Sequence, residues 1–379
     1  MFRPQIQKTK TLFFIACLSM VSVYLVSQSN TYIEKDGIDD KIRATEIMQS
    51  YINSIKKSNL VSINDEDLYQ TGLIGVESSN ITTVYNEGSK NFLNSKISCT
   101  HPNFSALVVH LFKEAEISSG DTVAVSMTGS LPGANLALMA ACEALDISPV
   151  ILSSIGSSSW GANREDFTWL DMESYLYREK LIKDKSLAVS IGGENDLGEN
   201  LTDKGIEIIE ENIISNNFDL VNESSLKENI DSKMNMYKRK LPIENYSAFI
   251  NIGGGSSSIG YGAAKDSMKV GVLFPIEIDD IIEDNKYFSS SLAYNFMNKG
   301  VTFINIKNIN ILGKDWGLYP PDKSIDINNG KLFYETENYN LNVIIFTLLL
   351  NLGLITFIGI YSHQQIKRRM KNEEYDSVL

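Results

Sequence analysis

Thr122-Val123-Ala124-Val125-Ser126-Met127 runs into Thr128-Gly129-Ser130-Leu131-Pro132-Gly133 and then into the apolar stretch Ala134–Leu145. A short apolar run, a small-residue turn and an apolar helical segment make one strand-turn-helix unit. A strand apolar on both faces belongs inside a parallel sheet covered by helices. The pattern recurs. Pro149–Ser154 leads into Gly156-Ser157-Ser158-Ser159-Trp160-Gly161-Ala162-Asn163 and a helix over Asp166–Leu181. Ser186–Ile191 leads into the turn Gly192–Gly198 and a helix over Thr202–Ile214. Ala248–Ile252 leads into Gly253-Gly254-Gly255-Ser256-Ser257-Ser258, and Met268–Phe274 and Val301–Ile306 read as two further strands.

The fold class these units predict is α/β, a mostly parallel sheet with flanking helices, doubly wound and Rossmann-like. Parallel strands end on one edge, so four Ser/Gly turns gather where open α/β sheets bind ligands. Ordinary turns and helix caps also use Gly and Ser, but four at one edge, one with three consecutive glycines, favour a cleft. Its expected ligand-binding residues are Ser126, Thr128, Gly129 and Ser130 from the first turn, Ser157, Ser158, Asn163 and Arg164 from the second, and Gly253, Gly254, Gly255 and Ser256 from the fourth. Arg164 earns its place as a planar fork donor suited to a carboxylate.

Three chemistries compete for that edge. Gly253-Gly254-Gly255 is not G-x-G-x-x-G, because position 258 is Ser, and no Lys stands in Walker spacing, so nucleotide binding is not expected. Ser130 is the candidate nucleophile, on a turn that lacks G-x-S-x-G spacing. Its candidate bases are His101, in a Thr-His-Pro turn, and His110, on an apolar helix over Ser105–Ala115; helix capping is the other role for Ser130. Glu194 and Asp196, two residues apart in a glycine loop, could hold a divalent cation through oxygen ligands. No EF-hand spacing accompanies them, and solvated loop acids are the plainer reading. No other cofactor is expected.

The 379 residues carry a net charge of −13, which excludes a nucleic-acid binder working through bulk basic charge. A mean hydropathy of −0.10 excludes a chain made mostly of spanning helices. Apolar runs nevertheless stand at both ends, Thr11–Ser27 and Leu341–Tyr361. As helices they reach about 26 Å and about 31 Å, against a hydrocarbon core of about 30 Å. The first is expected to be an uncleaved anchor; the alternative is a signal peptide, whose cleavage site at Ser27-Gln28-Ser29 lacks the usual alanines. Lys367, Arg368, Arg369 and Lys371 follow the second run, and Arg3, Lys8 and Lys10 precede the first. The positive-inside bias then puts both termini in the cytoplasm and the rest outside a plasma (inner) membrane crossed twice.

The expected organisation is a cytoplasmic tail (1–10), a first span (11–27), an amphipathic helical linker (28–60), an extracytoplasmic α/β domain (61–335), a second span (341–361) and a cytoplasmic tail (362–379). Seven basic and three acidic residues lie in the ends, so the segment between them carries close to −17. Cys99 and Cys142, its two cysteines, are either bridged or free, since spacing decides nothing. Within the second span Asn351 and Gly353 form a polar, small-residue patch expected to pack on another helix, through Ser19 or Ser22 of the first span, a second copy or another membrane subunit.

Four strings in order, Thr71–Glu77 (TGLIGVE), Gly120–Val125 (GDTVAV), Gly161–Glu173 (GANREDFTWLDME) and Asn251–Gly254 (NIGG), resemble the bacterial poly-gamma-glutamate system protein. The likeness runs from about residue 70 to about residue 320, and Gly161–Glu173 is its specific part. One departure is His101, where that family would have Asn before Pro102-Asn103-Phe104. The resemblance implies an accessory membrane subunit that handles or exports a γ-linked glutamate polymer, with other subunits of the synthesis complex as partners and polyglutamate or glutamate as ligand. It brings no established catalytic residues. The rival expectation is an extracytoplasmic hydrolase or amide transferase acting on that polymer. A serine with a well-placed base at the strand edge would favour the rival.

Overall fold

The computed structural model describes residues 6, 8–58, 60, 63–86, 88–261, 268–284 and 286–376. It divides into two units, one built from the two ends of the chain as far as Lys35 and from Tyr334, the other from Asp36–Phe333.

The end unit contains helices α1 (Thr9–Ser27) and α13 (Leu341–Asp376) and strands β1 (Asn30–Glu34) and β13 (Tyr334–Tyr339). The strands pair antiparallel, Asn30 opposite Tyr339 and Glu34 opposite Tyr334. Thr9–Ser27 and Leu341–Lys371 are each long and apolar enough to cross a membrane. Between the helices, Asn351 Nδ2 donates to Ser22 Oγ at 2.8 Å, and Ser19 Oγ donates to Asn351 Oδ1 at 3.3 Å. The mid-helix amide thus finds partners on the chain's own first helix. A side chain built at Gly353 would meet nothing within 4 Å, so Gly353 takes no part in the contact with α1. The hydrogen bonds, not close backbone approach, join the pair at this level.

The body is mixed α/β. Its main sheet has seven strands: β3 (Thr122–Thr128), β4 (Ser148–Ser154), β8 (Ala188–Ser190), β9 (Asp219–Val221), β10 (Ala248–Ile252), β11 (Gly271–Leu273) and β12 (Thr302–Ile306). Across the sheet they stand in the order β11-β12-β10-β3-β4-β8-β9. All neighbours pair parallel except β11 with β12. From β3 the chain steps outward through β4, β8 and β9. It then returns to the other side of β3 with β10, so the direction of winding reverses between β3 and β10.

The short elements β2 (Thr82–Val84) and β5 (Ser157–Ser158) form a parallel ribbon, and β6 (Asn163–Arg164) and β7 (Phe167–Thr168) pair antiparallel. That last pair shortens the helix expected over Asp166–Leu181 to α6 (Trp169–Arg178). There the Thr168 backbone N–H donates to Asp171 Oδ2 at 2.8 Å, a capping box that fixes the start.

Helices α2 (Ile38–Lys57), α4 (Asn103–Glu114) and α5 (Pro132–Leu145) pack together, with α4 against β11 and α5 against β3 and β4. The linker expected over 28–60 is therefore corrected. Met48, Ile52 and Ile55 of α2 are buried, because an apolar stripe of that length needs a cover and α4 and α5 supply it. A second apolar cluster joins Phe249 and Phe303 of the sheet to α8 (Leu226–Lys240) and α11 (Leu292–Met297). Phe249 stacks on Phe296 at 4.8 Å, and Tyr237 meets both edge-on. Side chains of this kind contribute about 1.5–3 kcal/mol each on burial. Cys99 and Cys142 are both buried and free, which settles the bridge left open by spacing.

Candidate functional site

The four Ser/Gly turns meet. A cleft of 720 Å³ opens at the carboxyl edge of the sheet. Thr128 and Ser130 line it after β3, Ser154, Gly156 and Ser158 after β4, Gly193, Glu194 and Asn195 after β8, and Gly253–Ser256 after β10. Its size is that of a small-molecule site. Elements that carry no Ser/Gly turn complete the wall, among them Thr83 and Val84 of β2. Helix α3 (Lys90–Ser98) brings Asn91, Phe92 and Lys96, and the end of β12 brings Lys307.

Two adjacent glycines do different jobs. Gly253 has φ +93°, and a side chain there would meet Thr128 Oγ1 at 2.9 Å, so the turn itself needs glycine. Gly254 has ordinary backbone angles, and its nearest neighbour would be Lys307 Cε at 3.6 Å. That position is a bare stretch of cleft wall.

The cleft wall holds a side chain that the sequence did not single out. Lys96 is buried at 4% exposure. Its Nζ donates to the Ser130 carbonyl at 2.6 Å, stands 2.7 Å from Ser158 Oγ and lies 4.6 Å from the Phe92 ring centre. No carboxylate pairs with it among the described residues. Burial pushes its ammonium down to about 7, and nearby Cys99 opposes the shift only in part. Ser130 Oγ accepts the Ser158 backbone N–H at 3.0 Å, while its own N–H donates to Thr128 Oγ1 at 2.9 Å. The first two turns are therefore pinned to each other around Lys96.

Several expected site residues stand behind the wall or away from it. Ser126 is buried against Ser258, their oxygens 2.5 Å apart. Ser157 Oγ donates to the Gly129 carbonyl at 3.0 Å, bracing the two turns from within. Asn163 is fully buried: its amide pairs with both backbone groups of Val76, at 2.9 and 2.7 Å, and with Thr82 Oγ1 at 2.9 Å. Arg164 forms an ion pair with Asp166 at 2.7 Å. Neither Asn163 nor Arg164 lines the cleft, because a fork donor beside an acid two residues on is satisfied locally.

The carboxylate pair separates as well. Glu194 lines the cleft, whereas Asp196 is buried against Lys233 at 2.5 Å and accepts from Ser190 Oγ at 2.8 Å. An ammonium already stands where a cation would neutralise Asp196. Among the described residues no group of three His, Cys, Asp or Glu side chains could hold a metal ion. Lys233 also donates to Ser257 Oγ at 3.0 Å, tying the third turn to the fourth.

His101 does not serve Ser130. Its Nδ1 accepts the Asn103 N–H at 3.2 Å, its Nε2 faces the Ile325 carbonyl at 3.2 Å, and burial lowers its pKa. His110 packs on Trp316, ring centres 4.4 Å apart, and does not line the cleft. Among the described residues, the base within reach of a cleft serine is Lys96, beside Ser158 Oγ. No family model, no curated protein and no solved structure matches this chain.

Proposed function

We propose that the protein is a two-pass plasma-membrane subunit of a system that makes or exports a γ-linked glutamate polymer. In this reading its doubly wound, Rossmann-like body lies outside the cytoplasm and holds the polymer, or glutamate, in the carboxyl-edge cleft. The observation that carries it is the pair Lys96 and Lys307, both nearly buried, in the wall of one cleft on a strongly acidic chain. Such a surface repels a free polyanion in bulk, whereas an ammonium in a low-dielectric wall, from Lys307 and the protonated share of Lys96, attracts a carboxylate far more strongly than one in water. Hydroxyls of Ser130, Ser158 and Ser256 offer partners for the amide groups between successive carboxylates. The ordered likeness from Thr71 to Gly254 supports the polymer's identity, and the reversal of strand order between β3 and β10 supports the doubly wound reading. No cofactor enters this reading.

Binding of γ-linked oligoglutamate to the detergent-purified chain tests it. Gly254→Val should weaken binding at least tenfold with unchanged thermal unfolding, because the branched side chain reaches toward Lys307 without straining the turn. No binding by the unaltered chain, or equal binding by the variant, overturns the reading. A reporter active only outside the cytoplasm should work when fused after Asn200 and fail when fused after Lys371; the reverse overturns the orientation.

The rival reading, an enzyme acting on the polymer, is favoured by a separate observation: a serine hydroxyl and an amine base sit at hydrogen-bond distance in the same cleft.

A further inference from the structure

We propose that Ser158 and Lys96 are the nucleophile and general base of an acyl-transfer centre that cleaves or transfers an amide bond of an anionic peptide held in the cleft. The substrate rests on the polymer reading above; the chemistry does not. Ser158 Oγ and Lys96 Nζ are 2.7 Å apart, and both residues line the cleft. The neutral amine has two N–H donors and one lone pair. With the Ser130 carbonyl taking one N–H at 2.6 Å, the lone pair is available to the Ser158 hydroxyl. Ser158 itself is fixed on two sides, by the β2–β5 pairing and by its backbone N–H on Ser130 Oγ. Burial without a carboxylate partner keeps a large share of Lys96 neutral near pH 7, the condition a lysine base requires.

The chemistry balances without an oxidant or metal. Ser158 Oγ attacks the amide carbonyl carbon, and its proton passes to Lys96 Nζ as the new C–O bond forms. Collapse of the tetrahedral species breaks the C–N bond, and Lys96 returns the proton to the leaving amine. The Ser158 ester is then attacked by water, giving hydrolysis, or by an acceptor amine, giving transfer. Lys96 takes that attacker's proton and hands it to the departing Ser158 Oγ. Cys99, just past the end of its helix, opposes the lowering by burial; the Phe92 ring lies over the amine, and Lys307 and Glu194 are the other charged side chains lining the cleft.

A fluorophosphonate probe on the detergent-purified full chain tests the pair. The expected result is a covalent adduct mapped to Ser158, formed at a rate that rises with pH through a midpoint near 7 and then levels. Ser158→Ala should abolish it, and Lys96→Met should slow it at least 100-fold and remove the midpoint. An adduct on Ser130, no adduct, or a flat pH profile overturns the proposal, and the profile of the unaltered chain decides even if Lys96→Met fails to fold. Oligoglutamate binding by the unaltered chain is read separately. Binding without labelling removes the catalytic pair and leaves the binding site, whereas labelling without binding leaves the pair and removes the polymer as substrate.

Discussion

Two buried lysines brace the turns at the sheet edge, Lys96 the first two and Lys233 the third and fourth, and their surroundings differ. Lys233 sits 2.5 Å from Asp196, with Ser190 and Ser257 completing its shell. Among the described residues Lys96 meets a carbonyl, a hydroxyl, an aromatic face and nearby Cys99, but no carboxylate. A buried ammonium matched by a carboxylate is a fixed charge that binds elements together. One without a carboxylate is held near the point where it gives up its proton, and it opens on a cleft. Burial of a charged side chain therefore says little until its counter-ion has been found or shown missing among its neighbours.

Removing one partner of the matched pair is expected to have the largest effect. Lys233→Met should lower the unfolding free energy by about 3–5 kcal/mol, because Asp196 is left charged and buried. Adding Asp196→Leu should recover most of that loss, and urea unfolding of the full chain in detergent reads both. If Lys233→Met costs no more than a surface substitution, the contrast between the lysines fails.

The unmatched lysine should show itself through pH. Its folded pKa, about 7, lies below the ordinary 10.5, so between those values the unfolded chain holds a proton that the folded chain lacks. Stability should therefore rise with pH across that window, by about 1.4 kcal/mol per unit, and fall away as pH drops through 7. Lys96→Met should erase this contribution. Glu173 supplies the opposite sign: burial raises its carboxyl to about 7 from 4.5, and its Oε2 has no hydrogen-bond partner. Its contribution is complete below pH 4.5 and is lost as pH rises through 7, a slope that Glu173→Gln should remove. Urea midpoints measured from pH 4 to 10 separate the two windows.

The smallest effect is expected in the end unit. Asn351→Leu should leave insertion intact and weaken the α1–α13 pair by about 1 kcal/mol or less. Energy transfer between labels on the two helices reads the change, and an unaltered signal would reduce Asn351 to a tolerated polar group.

Much of the sheet was legible in the sequence. Ala248–Ile252 forms the strand its apolar run predicts, and all four turns reach one cleft because parallel strands share an edge. Local signals did less well wherever long-range contacts decide. Asn163 and Arg164 look like ligand donors in sequence, yet Val76 and Asp166 use them up. Helix α2 reads as a linker because nothing in its own residues says that α4 and α5 cover its apolar stripe. Lys96 gave no signal at all. It stands among Lys90, Asn91, Asn94 and Ser95 on a polar helix, where a lysine is ordinarily solvated, and only the approach of Ser130 and Ser158 across the cleft buries it.

Lys41 joins the two ends of the body. Its buried Nζ donates to the carbonyl of Asp36 at 3.1 Å and to that of Leu332 at 2.9 Å, so the first and last turns of the body hang from one ammonium. A domain whose two ends meet is a cassette: it can be lifted from one host chain and set into another with little rearrangement. A circular permutant with Phe333 joined to Asp36 by a short linker, and new ends opened between Leu181 and Ser186, would preserve every strand of the seven-stranded sheet.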